Sequence, residues 1–126
     1  MDVNHRVLMI VEDDPASRSS LGSIFSRRGW AICSAGTLSE AMALLDHGLV
    51  PDCLVLDLLL PDGNGEEILS KIRKDGLKTR IAVCTGAQDP VSLSRVRSMN
   101  PDALLRKPVD LDELECVCNP ELSPTS

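Results

Sequence analysis

Two kinds of hydrophobic pattern alternate along the chain. Residues 6–11, 30–35, 53–57, 80–85 and 103–106 form five short apolar runs of strand length, separated by Gly, Pro and Asp. In the first, third and fourth (VLMIV, CLVL, IAVC) no polar residue interrupts the run, as expected of strands covered on both faces. The intervening stretches carry helical spacing with their own start and stop signals. Asp14 is placed as an N-cap before Pro15, with Leu21, Ile24, Phe25 and Arg28 on one face and Gly29 as the stop. Thr37-Leu38-Ser39-Glu40 reads as a capping box, followed by Leu38, Ala41, Met42 and Leu45 on one stripe and Gly48 at the end. A third helix is expected from about residue 65 to 75 with Ile68 and Ile72 inward, and a fourth from Asp89-Pro90 to just before Asn100-Pro101. The fifth is short: Asp110 caps residues 111–118, Glu113 completes an acidic box, and Pro120 blocks extension. Five strands alternating with five helices predict an α/β fold, a doubly wound parallel sheet with right-handed crossovers.

At 126 residues the chain fits one domain, here residues 1–119, with 120–126 as a polar tail or the start of a linker. Phe25 and Trp30 are its two aromatic residues, so the core must be aliphatic. Thirteen Lys and Arg against nineteen Asp and Glu leave a net charge of −6 with no basic cluster, which argues against direct nucleic-acid binding. No apolar run reaches the ~18–20 residues of a membrane span, and MDVNHRV does not resemble a secretory leader, so a cytoplasmic protein is expected. Five cysteines lack the spacing of a disulfide framework or a zinc site. Cys33, Cys53 and Cys84 fall in apolar runs and are expected to be free, packed thiols, while Cys116 and Cys118 suggest no chemistry.

A doubly wound sheet binds its ligand beyond the C-terminal ends of its strands. After the first strand come Glu12, Asp13 and Asp14; Asp57 closes the third, Thr85 the fourth, and Lys107-Pro108 follows the fifth. One Asp in a loop is adequately explained as a cap, and Asp14 is assigned that role. Carboxylates converging from separate strands would repel one another unless a cation lay among them. An oxygen-only donor set suits Mg2+. Asp57, beside a divalent ion and the Lys107 ammonium, could attack phosphorus and carry an acyl phosphate, with Thr85 donating a hydrogen bond to the phosphoryl oxygens.

These segments resemble the receiver domain of two-component response regulators from about Val7 to Glu115. VLMIVEDD is similar to the acidic first-strand motif, LVLDLLLPDGNG to the phosphorylation-site segment, CTGA to the Thr/Ser segment and RKP to the Lys-Pro segment. The resemblance implies a flavodoxin-like sheet of strand order 2-1-3-4-5, with Asp57 as phosphoacceptor and Asp13 as a direct Mg2+ ligand. It implies that Glu12 reaches the metal through water and that Leu59 offers its backbone carbonyl. Thr85 would bind the phosphoryl group, Lys107 would pair with it, and the Lys107-Pro108 peptide would be cis. Pro61, Asp62, Gly63 and Gly65 are assigned turn roles without chemistry. The implied function is a phosphorylation-dependent switch loaded by a histidine kinase or phosphotransfer protein and read out by a downstream protein or effector domain, with homodimerisation possible.

Two positions and one element depart from the family pattern: Leu104 stands where many relatives carry Tyr or Phe, Val109 where Phe is common, and the last helix is short. Arg95 and Arg106 are read as solvated surface residues. A docking module of the same fold that is never phosphorylated is the alternative, weighed against the presence of every site residue. A phosphatase of the aspartyl-phosphate type is disfavoured, because Leu59 stands where such enzymes place a general acid. The chain is therefore expected to hydrolyse only its own aspartyl phosphate. With apolar Leu59 and small Ala87 beside the phosphoryl pocket, that hydrolysis is expected to be slow.

Overall fold

A computed structural model of the chain describes residues 6–86 and 89–119. Its elements run β1 (Val7–Val11), α1 (Pro15–Arg27), β2 (Ala31–Ala35), α2 (Leu38–Asp46), β3 (Cys53–Leu56), β4 (Leu59–Leu60), β5 (Gly63–Asn64), α3 (Glu66–Lys74), β6 (Arg80–Thr85), α4 (Pro90–Ser98), β7 (Ala103–Arg106) and α5 (Leu111–Cys118). Five strands make one parallel sheet in the order β2-β1-β3-β6-β7, which is the order expected when these strands alone are numbered. The short antiparallel β4–β5 hairpin was not foreseen; it folds the segment read as simple turn residues back on itself between Leu59 and Asn64.

The uninterrupted apolar runs follow from the two layers. On one face Met9, Val11, Leu54, Leu56, Ile81 and Val83 pack against α2, α3 and α4 through residues such as Leu45, Ile72 and Val96. On the other, Leu8, Ile10, Cys53, Val55, Ala82 and Cys84 meet Phe25 of α1 and Leu114 of α5. Successive side chains point to opposite faces, so a central strand must be apolar at every position. Each large aliphatic side chain so buried contributes ~1.5–3 kcal/mol relative to its exposed state.

Local chemistry sets the boundaries. Asp14, Thr37, Asp89 and Asp110 accept hydrogen bonds from the first-turn amides of α1, α2, α4 and α5, as the sequence pattern predicts. In α2 the reciprocal bond is displaced by one residue: the Glu40 carboxylate accepts from the Gly36 N–H at 2.7 Å, not from Thr37. Gly29 and Gly48 adopt φ of 96° and 100°, which end α1 and α2. Arg28 does not join the core face of α1, because its guanidinium pairs with Glu115 of α5 while lying 6.0 Å above the Phe25 ring. Trp30 precedes β2 and meets Phe25 edge-on at 6.4 Å.

All five cysteines are free. Cys53 and Cys84 are buried as expected, but Cys33 is only half-buried, since β2 is an edge strand covered less completely than its neighbours. Cys118, assigned no chemistry, is a buried packing residue in the same core cluster as Cys53. Among the described residues no helix is long and apolar enough to cross a membrane. The tail from residue 120 onward, the first five residues and Ala87 lie outside the described residues.

Gly65 fixes the distance between the end of β3 and the start of α3. A Cβ there would lie 2.6 Å from the Asp57 carbonyl oxygen and 3.2 Å from the Leu58 Cα, both backbone atoms that cannot rotate away. Gly65→Ala should therefore cost ~1–3 kcal/mol through forced backbone displacement. Urea denaturation measures this, and an unchanged midpoint would contradict the close approach.

Candidate functional site

The ladder of the sheet carries the site residues past the strand ends. The Glu12 N–H donates to Ala35 O at 3.1 Å, the Asp57 N–H to Val11 O at 3.0 Å, and the Lys107 N–H to Thr85 O at 3.1 Å. Glu12, Asp57, Thr85 and Lys107 thus share the C-terminal edge of one rigid sheet, although they are scattered through the sequence. The Lys107-Pro108 peptide is cis.

Two of the carboxylates are removed from water: Glu12 is 5% and Asp57 6% exposed. The Lys107 ammonium donates to Glu12 Oε1 at 2.6 Å and to Asp57 Oδ2 at 2.8 Å. Each remaining oxygen has a backbone donor, the Asp14 N–H to Glu12 Oε2 at 3.0 Å and the Leu59 N–H to Asp57 Oδ1 at 3.1 Å. Partial burial alone would lower the pKa of Lys107, but the hydrogen bonds to Asp57 and Glu12 outweigh it and the net shift is upward. The ammonium therefore remains charged through the neutral range.

Asp13 is exposed and supplies a third carboxylate. One oxygen from each of Glu12, Asp13 and Asp57 lies within 4.8 Å of the others. Against these three negative charges stands the one positive charge of Lys107, leaving a formal −2 at the mouth of the site. Hard oxygen donors and a charge deficit of two fit a divalent cation of the Mg2+ class.

Thr85 is fully buried at the end of β6. Leu59 is 57% exposed, and its N–H is the group bonded to Asp57. Leu104, in the position where the family pattern favours an aromatic residue, is half-buried against the α2–α4 side of the core. A cavity of about 440 Å³ adjoins Glu12, Asp57 and Lys107 and continues between α1 and α5 over Val55, Cys84 and Val109. Burial raises the Cys84 thiol to about 12, so it stays protonated beside the site.

Two supports escaped the reading of the sequence. Asp62, assigned to a turn, accepts from the backbone N–H groups of Leu38 and Ser39 at 2.7 and 3.0 Å and so anchors the hairpin after Asp57 to the N-terminus of α2. These bonds hold its carboxyl below the usual range. Arg18 reaches back from α1 to the Glu12 carbonyl at 2.7 Å, bracing the acidic loop. The spacing of Arg18 from Glu12 was a usable signal, whereas nothing local connects Asp62 with residues more than twenty positions earlier. Arg95, read as a solvated surface residue, makes a two-pronged bond to Glu66 at 2.8 and 3.0 Å, tying α4 to α3.

Lys107→Met should leave Glu12 and Asp57 facing each other without a cation. A loss of ~1–3 kcal/mol at neutral pH is expected, below the cost for a fully buried pair because 36% of the Lys107 side chain is solvated. The deficit should shrink on addition of Mg2+, whose charge takes the place of the ammonium. Urea denaturation with and without Mg2+ checks this, and a deficit that Mg2+ leaves unchanged would contradict it.

Comparison with known proteins agrees with this geometry. The family described as "Response regulator receiver domain" matches residues 8–118. The transcriptional regulatory protein PmrA of Pectobacterium parmentieri is 37% identical over 110 residues, covering 86% of this chain and 48% of that protein. The Regulator of RpoS from Escherichia coli is 32% identical over 108 residues, 85% of this chain and 32% of the relative. The chain thus spans less than half the length of either. Among solved structures, a CheY-like response regulator receiver domain protein from Methanospirillum hungatei superposes with a TM-score of 0.86 at 25% identity, covering 94% of each chain.

Proposed function

The chain belongs to the response regulator receiver family, and from that premise we propose that Asp57 accepts a phosphoryl group from the phosphohistidine of a histidine kinase or phosphotransfer protein. Membership places the chain in phosphorylation-based two-component signalling; the donor, the acceptor atom and the metal are our reading. The observation that carries it is the Lys107 ammonium joined to both Glu12 and Asp57, with the Asp13 carboxylate within 4.8 Å of theirs.

In the proposed step a carboxylate oxygen of Asp57 forms the new O–P bond as the donor's P–N bond breaks, and the bonding electron pair stays on the departing imidazole nitrogen. Glu12, Asp13, Asp57 and the Leu59 carbonyl would hold Mg2+, which when bound supplies positive charge to the phosphoryl oxygens. Lys107, already paired with Asp57, transfers one of its donors to a phosphoryl oxygen. Thr85, buried at the adjacent strand end, supplies a hydroxyl to another. Burial of Asp57 limits competition from bulk water, while the cavity between α1 and α5 leaves it approachable.

The new contacts at Thr85 and Lys107 would favour one of two arrangements of α4 and β7, changing the affinity of a downstream protein or effector domain. A differential of a few kcal/mol is enough to shift such a population. The chain acts as a single-use acceptor that hydrolyses its own aspartyl phosphate, not as a multiple-turnover enzyme. The absence of a carboxyl side chain at Leu59 supports this reading, since no general acid follows the nucleophile.

Asp57→Asn should abolish phosphorylation by acetyl phosphate or by a cognate kinase in the presence of Mg2+, read by intact-protein mass spectrometry. An unchanged yield would move the acceptor elsewhere. The phosphorylated wild type should lose its phosphate slowly, because exposed, apolar Leu59 cannot orient an attacking water. Release of inorganic phosphate followed over time measures this, and a lifetime of seconds would refute it.

A further inference from the structure

The sheet has an outer edge that the phosphorylation site does not use. On β2, the Ala31 N–H donates to Arg6 O at 2.8 Å and the Ala35 carbonyl accepts from the Glu12 N–H at 3.1 Å, so alternate residues from Ala31 to Ala35 turn their backbone groups towards β1. In a parallel ladder the residues between them, Ile32 and Ser34, direct N–H and C=O outward. Among the described residues no strand pairs with that side of β2.

Exposed edges are commonly guarded by charged side chains, proline or a bulge. β2 has none: its sequence is Ala-Ile-Cys-Ser-Ala, and its register with β1 is unbroken over all five residues.

The two lips of the edge differ in chemistry. Along α1, a groove of about 630 Å³ runs beside Ile32 and Ser34 and is lined by Arg18, Arg27 and the hydroxyls of Ser19, Ser23 and Ser26, with no acidic residue in its lining. This is a cationic surface on a chain whose net charge is −6. Arg18 donates to the carbonyls of Glu12 and Asp13 and lies near the Asp14 carboxylate, whereas Arg27 is exposed without an ion-pair partner among the described residues. The α2 lip offers Ala43, Leu44 and His47 beside Ser34, and its one acid, Glu40, is committed to the Gly36 N–H.

We propose that this edge of β2 docks an extended peptide strand whose side chains alternate acidic and apolar. Backbone groups of the added strand would pair with Ile32 and Ser34, giving affinity independent of side chain. Side chains of a strand alternate between the faces of its sheet, so every second residue lies towards α1 and the others towards α2. Arg18, Arg27 and the serine hydroxyls select carboxylates on the first lip, and Leu44 and Ala43 select small apolar groups on the second. A second copy of the chain is disfavoured, because symmetric pairing of two β2 edges would set one arginine lip beside the other.

The test is an amide-resolved NMR titration of the whole chain with a short capped peptide of alternating Glu and Val, and with its Lys-Val counterpart. The Glu-Val peptide should shift and protect the Ile32 and Ser34 amides and shift residues 18–27 of α1, while the Lys-Val peptide should bind at least roughly tenfold more weakly. Arg27→Glu should reverse that preference while leaving phosphorylation by acetyl phosphate unchanged. Equal binding of the two peptides, no shift at millimolar peptide, shifts centred on β7 or Asp57, or a dimer formed through β2 would each overturn the proposal.

Discussion

Two buried carboxylates and one ammonium hold the functional end of this molecule together. Glu12 and Asp57 are each more than nine-tenths removed from solvent, and placing two such charges side by side in a medium of low polarity is costly without a counter-charge. Lys107 provides that counter-charge to both at hydrogen-bond distance. The backbone N–H groups of Asp14 and Leu59 satisfy the remaining oxygens, so no acceptor in the pair is left bare. Asp13 adds a charge that Lys107 does not balance, and this residual negative potential suits a small, hard, doubly charged ion.

The parallel sheet makes this arrangement possible. Its strands point the same way, so all their C-terminal ends and the residues just beyond them lie along one edge. The ladder continues one residue past the strands at Glu12, Asp57 and Lys107, which gives their backbones the rigidity of the sheet while their side chains project into a crevice. Further ties brace the surrounding loops. Arg18 holds the acidic loop from α1, Asp62 holds the hairpin after Asp57 against α2, and Gly65 allows α3 to begin in contact with the Asp57 backbone. On the side facing α4, the two-pronged Arg95–Glu66 pair, exposed at the arginine and mostly covered at the glutamate, ties α4 to α3.

The sheet's two outer strands serve different ends of this design. β7 carries the chain directly into Lys107 and is bound up with the site, whereas the far side of β2 lies across the sheet from it. The cationic groove beside β2 contains none of the carboxylates of the acidic crevice, although Arg18 both lines the groove and braces the loop that carries Glu12 and Asp13.

What the sequence alone determined is what short-range physics controls. Asp14, Thr37, Asp89 and Asp110 announce helix starts because a capping side chain bonds amides two or three residues away. The unbroken runs at β1, β3 and β6 announce buried strands because each residue must face one of two apolar layers. Glu12, Asp13, Asp57, Thr85 and Lys107 stood out as polar residues at the ends of such runs. The tertiary structure decided everything that depends on distant partners. Lys107 meets Glu12 across 95 positions and Asp57 across 50, a choice made by strand order and not by any local signal. The same holds for Arg28 leaving the core face of α1 for Glu115, for Cys33 staying half-exposed on an edge strand, and for Asp62 capping a helix that begins 24 residues before it. Periodicity reports which face of an element is apolar. Which element covers that face, and which charge meets which, is decided only when all the layers pack at once.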